Sequence, residues 1–167
     1  HMVVVPAGNL AEGKMNDSNV VTGGYVGSVM KGTSGALKTA ANIIKADFGA
    51  ANILTHREYF INTTKDAYDT AGAWYDSDID LMNEAMVYGS EFFHDAVQGT
   101  NFAYHHTIDK TQLKLFAERP DLITTRADWW LRDVANATLF ARVANYGLAY
   151  YYYASSSFGV RPAFAIC

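Results

Sequence analysis

The C-terminal stretch from Trp129 to Cys167 constrains this chain most. Trp129-Trp130-Leu131 is a continuous apolar run, the pattern of a buried strand. Phe140 to Ala144 alternates, Asn145-Tyr146-Gly147 reads as a tight turn, and Leu148 to Ala154 alternates again. Ser155-Ser156-Ser157 makes a loop, and Gly159 to Ile166 reads as a closing strand in which Pro162 marks an edge or a strand start. A strand sends successive side chains to opposite faces. Arg142, Ala144, Tyr146, Leu148, Tyr150 and Tyr152 are chemically scattered, while Ala141, Val143, Gly147 and Ala149 between them are small or apolar. The pattern therefore predicts one packed face and one exposed face free to vary. The competing reading is a buried tyrosine ladder.

Upstream, the signals are helical. Leu37, Ala40, Ala41, Ile44 and Phe48 share one helix face, with Thr33 or Ser34 as the cap and Gly49 as the stop. Thr55-His56-Arg57-Glu58 fits a capping box and predicts a helical turn carrying Tyr59 and Phe60 inward. Ser77-Asp78-Ile79-Asp80 is a second cap signature, ahead of an apolar face of Leu81, Met82, Ala85, Met86 and Tyr88 that ends at Gly89. A third short helix is expected over Thr111 to Glu118, stopped before Pro120. Residues 3–31 read as short strands and loops. Helices first and an antiparallel sheet last give an α+β expectation.

The chain is one domain's worth of sequence, 167 residues at 50% hydrophobic. His1-Met2 reads as a cloning remnant, which leaves 3–167 as a single domain of a longer chain. Net charge is −4 without a basic stripe, which argues against nucleic acid as a partner. No apolar run is long enough for membrane insertion. Cys167 is the single cysteine, which excludes an internal disulfide and a cysteine-rich zinc site.

Composition adds a second signal. Residues 133–167 contain no Lys, Glu, Gln, Met or Trp, whereas the preceding 132 residues contain 22 of them. Tight strands disfavour some of these residues. The missing set is also the one that an AAC codon cannot produce when its two adenines are randomised. Tyr, Ser and Asn, which are abundant here, suit an adaptable recognition surface.

The frames Trp129-Trp130-Leu131-Arg132-Asp133-Val134 and Ala154 to Phe164, with Leu81 to Gly89, resemble the variable proteins of diversity-generating retroelements, many of them phage or prophage proteins. The resemblance covers about residues 20–167. It implies the formylglycine-generating-enzyme-like branch of the C-type lectin fold, with short helices packed on a twisted antiparallel sheet and a diversified region over about 133–158. Carried over by position, the ligand-binding face is Leu139, Arg142, Ala144, Tyr146, Leu148, Tyr150, Tyr152, Tyr153, Ser156 and Phe158. Trp130, Leu131, Arg132, Gly147, Ala154, Gly159, Arg161 and Pro162 are expected as scaffold, with Arg161 a buried, paired anchor of the last strand. The implied function is a binding protein on a virion or cell surface, recognising a protein or glycan on a host or other cell. The alternative is a capsid or tail decoration domain whose aromatic face is an assembly interface. A homo-oligomer through regions outside this sequence fits either.

Catalytic signals are weak, and the chain reads as a non-enzyme without cofactor or metal. The related formylglycine chemistry needs reactive cysteines, and the one cysteine here is terminal. Asp76, Asp78 and Asp80 are spaced like the start of a calcium loop, but Leu81 and Val87 stand where Gly and Glu belong. His94, His105 and His106 lack an accompanying metal or nucleophile motif and read as surface or loop residues.

Overall fold

The computed structural model describes residues 1–60, 73–90 and 111–167. Its strands are β1 (Met2–Val4), β2 (Ala11–Lys14), β3 (Ile53–Leu54), β4 (His56–Phe60), β5 (Ala73–Ser77), β6 (Ile79–Leu81), β7 (Trp129–Asn136), β8 (Leu139–Val143), β9 (Ala149–Tyr153), β10 (Ser157–Val160) and β11 (Pro162–Ile166). The helices are α1 (Ala36–Phe48), α2 (Glu84–Tyr88) and α3 (Lys114–Glu118), the last two of five residues each. The described residues form three sheets. One runs β2-β10-β7-β8-β9, a second is centred on β11 with β1, β3 and β6 as partners, and β4-β5 is a separate hairpin.

This architecture corrects the α+β, C-type lectin-like expectation. The chain is mainly β, and its largest sheet is mixed, because β10 runs parallel to β7. Two cap signatures account for much of the difference. Thr55 to Glu58 does not open a helix. His56 to Phe60 pairs antiparallel with Ala73 to Ser77, and Tyr59 meets Trp74 across the pair in an edge-to-face contact at 5.4 Å. Ser77 ends that hairpin and Ile79 to Leu81 joins β11, so the helix starts only at Glu84. Asn83 is its cap, accepting from the Met86 amide at 2.8 Å. Aromatic and β-branched residues favour a pleated surface once a partner strand is present, and that preference overrides the local cap.

Helix α1 follows its periodicity. Leu37, Ala40, Ala41 and Ile44 are buried, and Gly49 ends it. Its N-cap is Gly35, not Thr33 or Ser34. A Cβ at Gly35 would collide with the Val29 and Met30 carbonyls. Gly35→Ala is therefore expected to cost about 1–3 kcal/mol in urea denaturation, the usual range for forced overpacking.

Both faces of the large sheet are covered. Trp130, Val134 and Phe140 pack with Met15, Tyr25, Met30 and Leu37 on one side. Trp129, Leu131, Ala141 and Val143 pack with Met82, Met86, Phe116 and Ile123 on the other. Charged groups are buried among these layers with partners. Arg161 lies between the rings of Phe116 and Trp129, and donates to the carbonyls of Pro6 at 2.8 Å and Leu122 at 2.9 Å. It thus anchors the start of β11 through backbone acceptors, and its burial lowers its pKa to about 10. Arg132 donates to Glu58 at 2.6 Å, and His56 contacts the other carboxylate oxygen of Glu58. Asp80 accepts from Tyr25 at 2.5 Å and also contacts Lys31 and Ser77.

Burial alone would raise the pKa of Glu58, but Arg132 and His56 outweigh it and hold the carboxyl at about 2, against its ordinary 4.5. A depressed folded-state pKa adds stability that is full above 4.5 and is lost as pH falls toward 2. The loss is on the order of 3 kcal/mol. Urea midpoints followed by tryptophan fluorescence should fall over that window, and the fall should be shallower in Glu58→Gln. Parallel pH profiles for the two proteins would contradict this linkage.

Candidate aromatic binding face

Strands β8 and β9 form the hairpin read from the sequence. They pair antiparallel from Leu139 opposite Tyr153 to Val143 opposite Ala149 without a break in register. The turn between them is held at several points. Gly147 donates to the Ala144 carbonyl at 2.7 Å, and Ala144 to that of Leu148 at 2.8 Å. From outside the hairpin, Asp128 accepts from the Asn145 amide at 2.7 Å, and the Tyr88 hydroxyl donates to the Gly147 carbonyl at 3.0 Å. Gly147 has φ 91°, and a Cβ there would stand 2.5 Å from Thr124 Oγ1, so the position demands glycine.

Among the described residues β9 is the outer strand of its sheet. That placement decides exposure. Tyr146 and Leu148 at the turn are 64% and 62% exposed, and Tyr150, Tyr152 and Tyr153 are 45%, 42% and 51% exposed. Tyr151, which is not among the positions expected on the exposed face, is 39% exposed as well. It stacks on Tyr150 with centroids 5.2 Å apart. The result is a continuous strip with no charged side chain between Tyr146 and Tyr153.

The other carried-over positions sit differently. Leu139, Ser156 and Phe158 are partly buried at the margin of the strip. Ala144 is buried, which corrects its assignment to the exposed face. Ala144 follows β8 at the closed turn, bonded to Leu148 and Gly147, and the even-numbered face of β8 is itself covered at Phe140. Phe140, on that face, is fully buried against residues from the N-terminal third of the chain. Arg142 is also a correction, since it lies under the strip. Its guanidinium is 4.8 Å from the ring centre of Phe158, 5.3 Å from Tyr150 and 5.4 Å from Tyr152. Its Nη1 is 2.6 Å from Asp128 Oδ1, though off hydrogen-bond geometry, so the contact is an ion pair. Phe158 in turn meets Trp130 edge-on at 4.8 Å and Tyr152 at 5.4 Å. Arg142 thus fixes three rings from below by cation–π contact.

The residues expected as scaffold are buried in the structure, except Gly147, which is half-buried. Of the acidic positions, Asp78 pairs with Lys45 at 2.6 Å and Asp80 is engaged as described above. No group of three His, Cys, Asp or Glu side chains able to hold a metal occurs among the described residues. His94, His105 and His106 lie outside the described residues. No helix among the described residues is long and apolar enough to cross a membrane.

The family model for DUF6273, a domain of unknown function, matches residues 77–167. No curated protein and no solved structure matches the chain. The family match begins at the end of β5 and takes in all of β6 to β11, including the hairpin and the strip. Since it spans more than half of the sequence, the chain belongs to the DUF6273 family.

Proposed function

We propose that this chain is a binding protein that recognises a target on a host or other cell surface through the Tyr146–Tyr153 strip. It is a virion or cell-surface component of a phage or prophage, with the strip diversified by a retroelement. The observation that carries this reading is the strip itself: five tyrosines and one leucine, all exposed, on an outer strand and its turn. Exposed apolar patches of this kind mark interaction sites. Tyrosine supplies large amphipathic contact area at low entropic cost. The rigid turn and the Arg142 platform pre-organise the surface, which limits the ordering cost of binding.

The test is saturable binding of fluorescently labelled protein to a panel of bacterial cells by flow cytometry. Loss of that binding is expected when the strip tyrosines are replaced. One observation favours a second reading, an assembly interface. β9 carries no Lys, Glu or Pro, the residues that commonly protect an outer strand from pairing with another copy. Sedimentation velocity over a wide concentration range separates the two. A target-binding face predicts a monomer, and an assembly face predicts a reversible oligomer that the same tyrosine changes dissolve.

A further inference from the structure

A cavity of about 210 Å³ lies away from the strip, between β4, β6, α2 and β11. Leu81, Met86, Leu113, Ala163 and Phe164 form its apolar wall, His56, Arg57, Glu58, Asp80 and Arg132 its polar wall, and His1 and Val3 also line it. Such a combination is the usual make-up of a small-molecule site. The volume equals roughly seven waters at ~30 Å³ each. Apolar walls hold water poorly, because an ordered water needs two to four polar partners.

The charges choose the ligand. Both carboxylates are already neutralised: Glu58 by Arg132 and His56, and Asp80 by Lys31 with the hydroxyls of Tyr25 and Ser77. A cation would have to displace one of these partners. An anion meets His56, Arg57 and Arg132 along one side of the cavity. His56 is engaged on both ring nitrogens. Its Nε2 is taken by Glu58 and its Nδ1 is enclosed beside the Leu54 carbonyl, so the donor this wall leaves without an ion pair among the described residues is Arg57.

We propose that this cavity binds a small amphiphilic monoanion, a short-chain carboxylate whose head meets Arg57 beside Arg132 and whose tail fills the Leu81–Met86–Leu113–Phe164 side. The site is independent of the tyrosine strip. It is tested by ¹⁵N–¹H correlation spectra of the whole chain titrated with three probes of equal tail: hexanoate, hexan-1-ol and hexylammonium. Hexanoate should give saturable shifts at the amides of Met86, Leu113 and Ala163, with the alcohol and the ammonium at least about tenfold weaker, the usual worth of a hydrogen bond to a charged group. Leu113→Trp, which fills the cavity from a half-buried position, should remove hexanoate binding and leave the strip resonances unmoved. If that variant does not fold, the map of the unaltered protein decides. Absence of saturable shifts with hexanoate, equal affinity for all three probes, or shifts centred elsewhere would each overturn the proposal.

Discussion

Replacing Tyr150, Tyr152 and Tyr153 together by serine is expected to lower binding to target cells by about a hundredfold or more. Each ring is near half exposed, so each has area to bury in a complex. Truncating an aromatic anchor at an interface costs roughly 1–3 kcal/mol, and three such losses at about 2 kcal/mol each exceed a hundredfold even if only half of the sum is realised. Folding should change little, because surface substitutions away from buried networks stay within about 0.5 kcal/mol. Tyr150 and Tyr152 are the exceptions within the set, since both lie against Arg142 and Tyr152 also touches Phe158. The unfolding midpoint should therefore be measured beside binding, and Tyr153 should be changed alone as well. Full cell binding by the triple variant would remove the strip from the recognition site.

Arg132→Ala is expected to be the most damaging single change to the fold. It would take from Glu58, a buried carboxylate, the guanidinium that donates to it at 2.6 Å and leave it the His56 contact. Breaking a buried pair from one side costs about 3–5 kcal/mol. Whole domains are stable by only about 5–15 kcal/mol, so the loss should appear as a fall of about 10 °C or more in unfolding midpoint. Arg132 also covers the ring of Phe60 at 4.7 Å, and that packing goes with it. The double variant Arg132→Met with Glu58→Leu should recover much of the loss, since an apolar replacement of a buried pair is often neutral. If Arg132→Ala melted like the unaltered protein, the pair would have no role in holding β4 to β7.

These two predictions fall on different sides of what the sequence discloses. Helix α1, the β8–β9 hairpin and its turn are local features, and their spacing and turn residues reveal them. The Glu58–Arg132 pair joins positions 74 residues apart, and nothing local signals it. The same distance effect misdirects the reading of Thr55 to Glu58, where a good cap motif is overruled by pairing with β5. The strip was partly legible. Alternation divides the positions into two faces, but it cannot say which face the rest of the chain covers. Phe140 is buried because N-terminal residues lie over it, and Ala144 is buried in the closed turn after β8. Tyr151 is exposed because β9 has no neighbouring strand beyond it among the described residues. Position in the sheet, more than parity in the sequence, sets which of these side chains are exposed.

The coding DNA tests the central claim most directly. The account predicts a nearby reverse transcriptase and a template copy of the last part of the gene, differing from it chiefly at adenines. Those differences should fall in the codons of Tyr146, Leu148, Tyr150, Tyr152 and Tyr153, and should spare the buried Trp130, Phe140, Ala141 and Val143. A locus with no template copy, or differences spread evenly over exposed and buried codons, would contradict it.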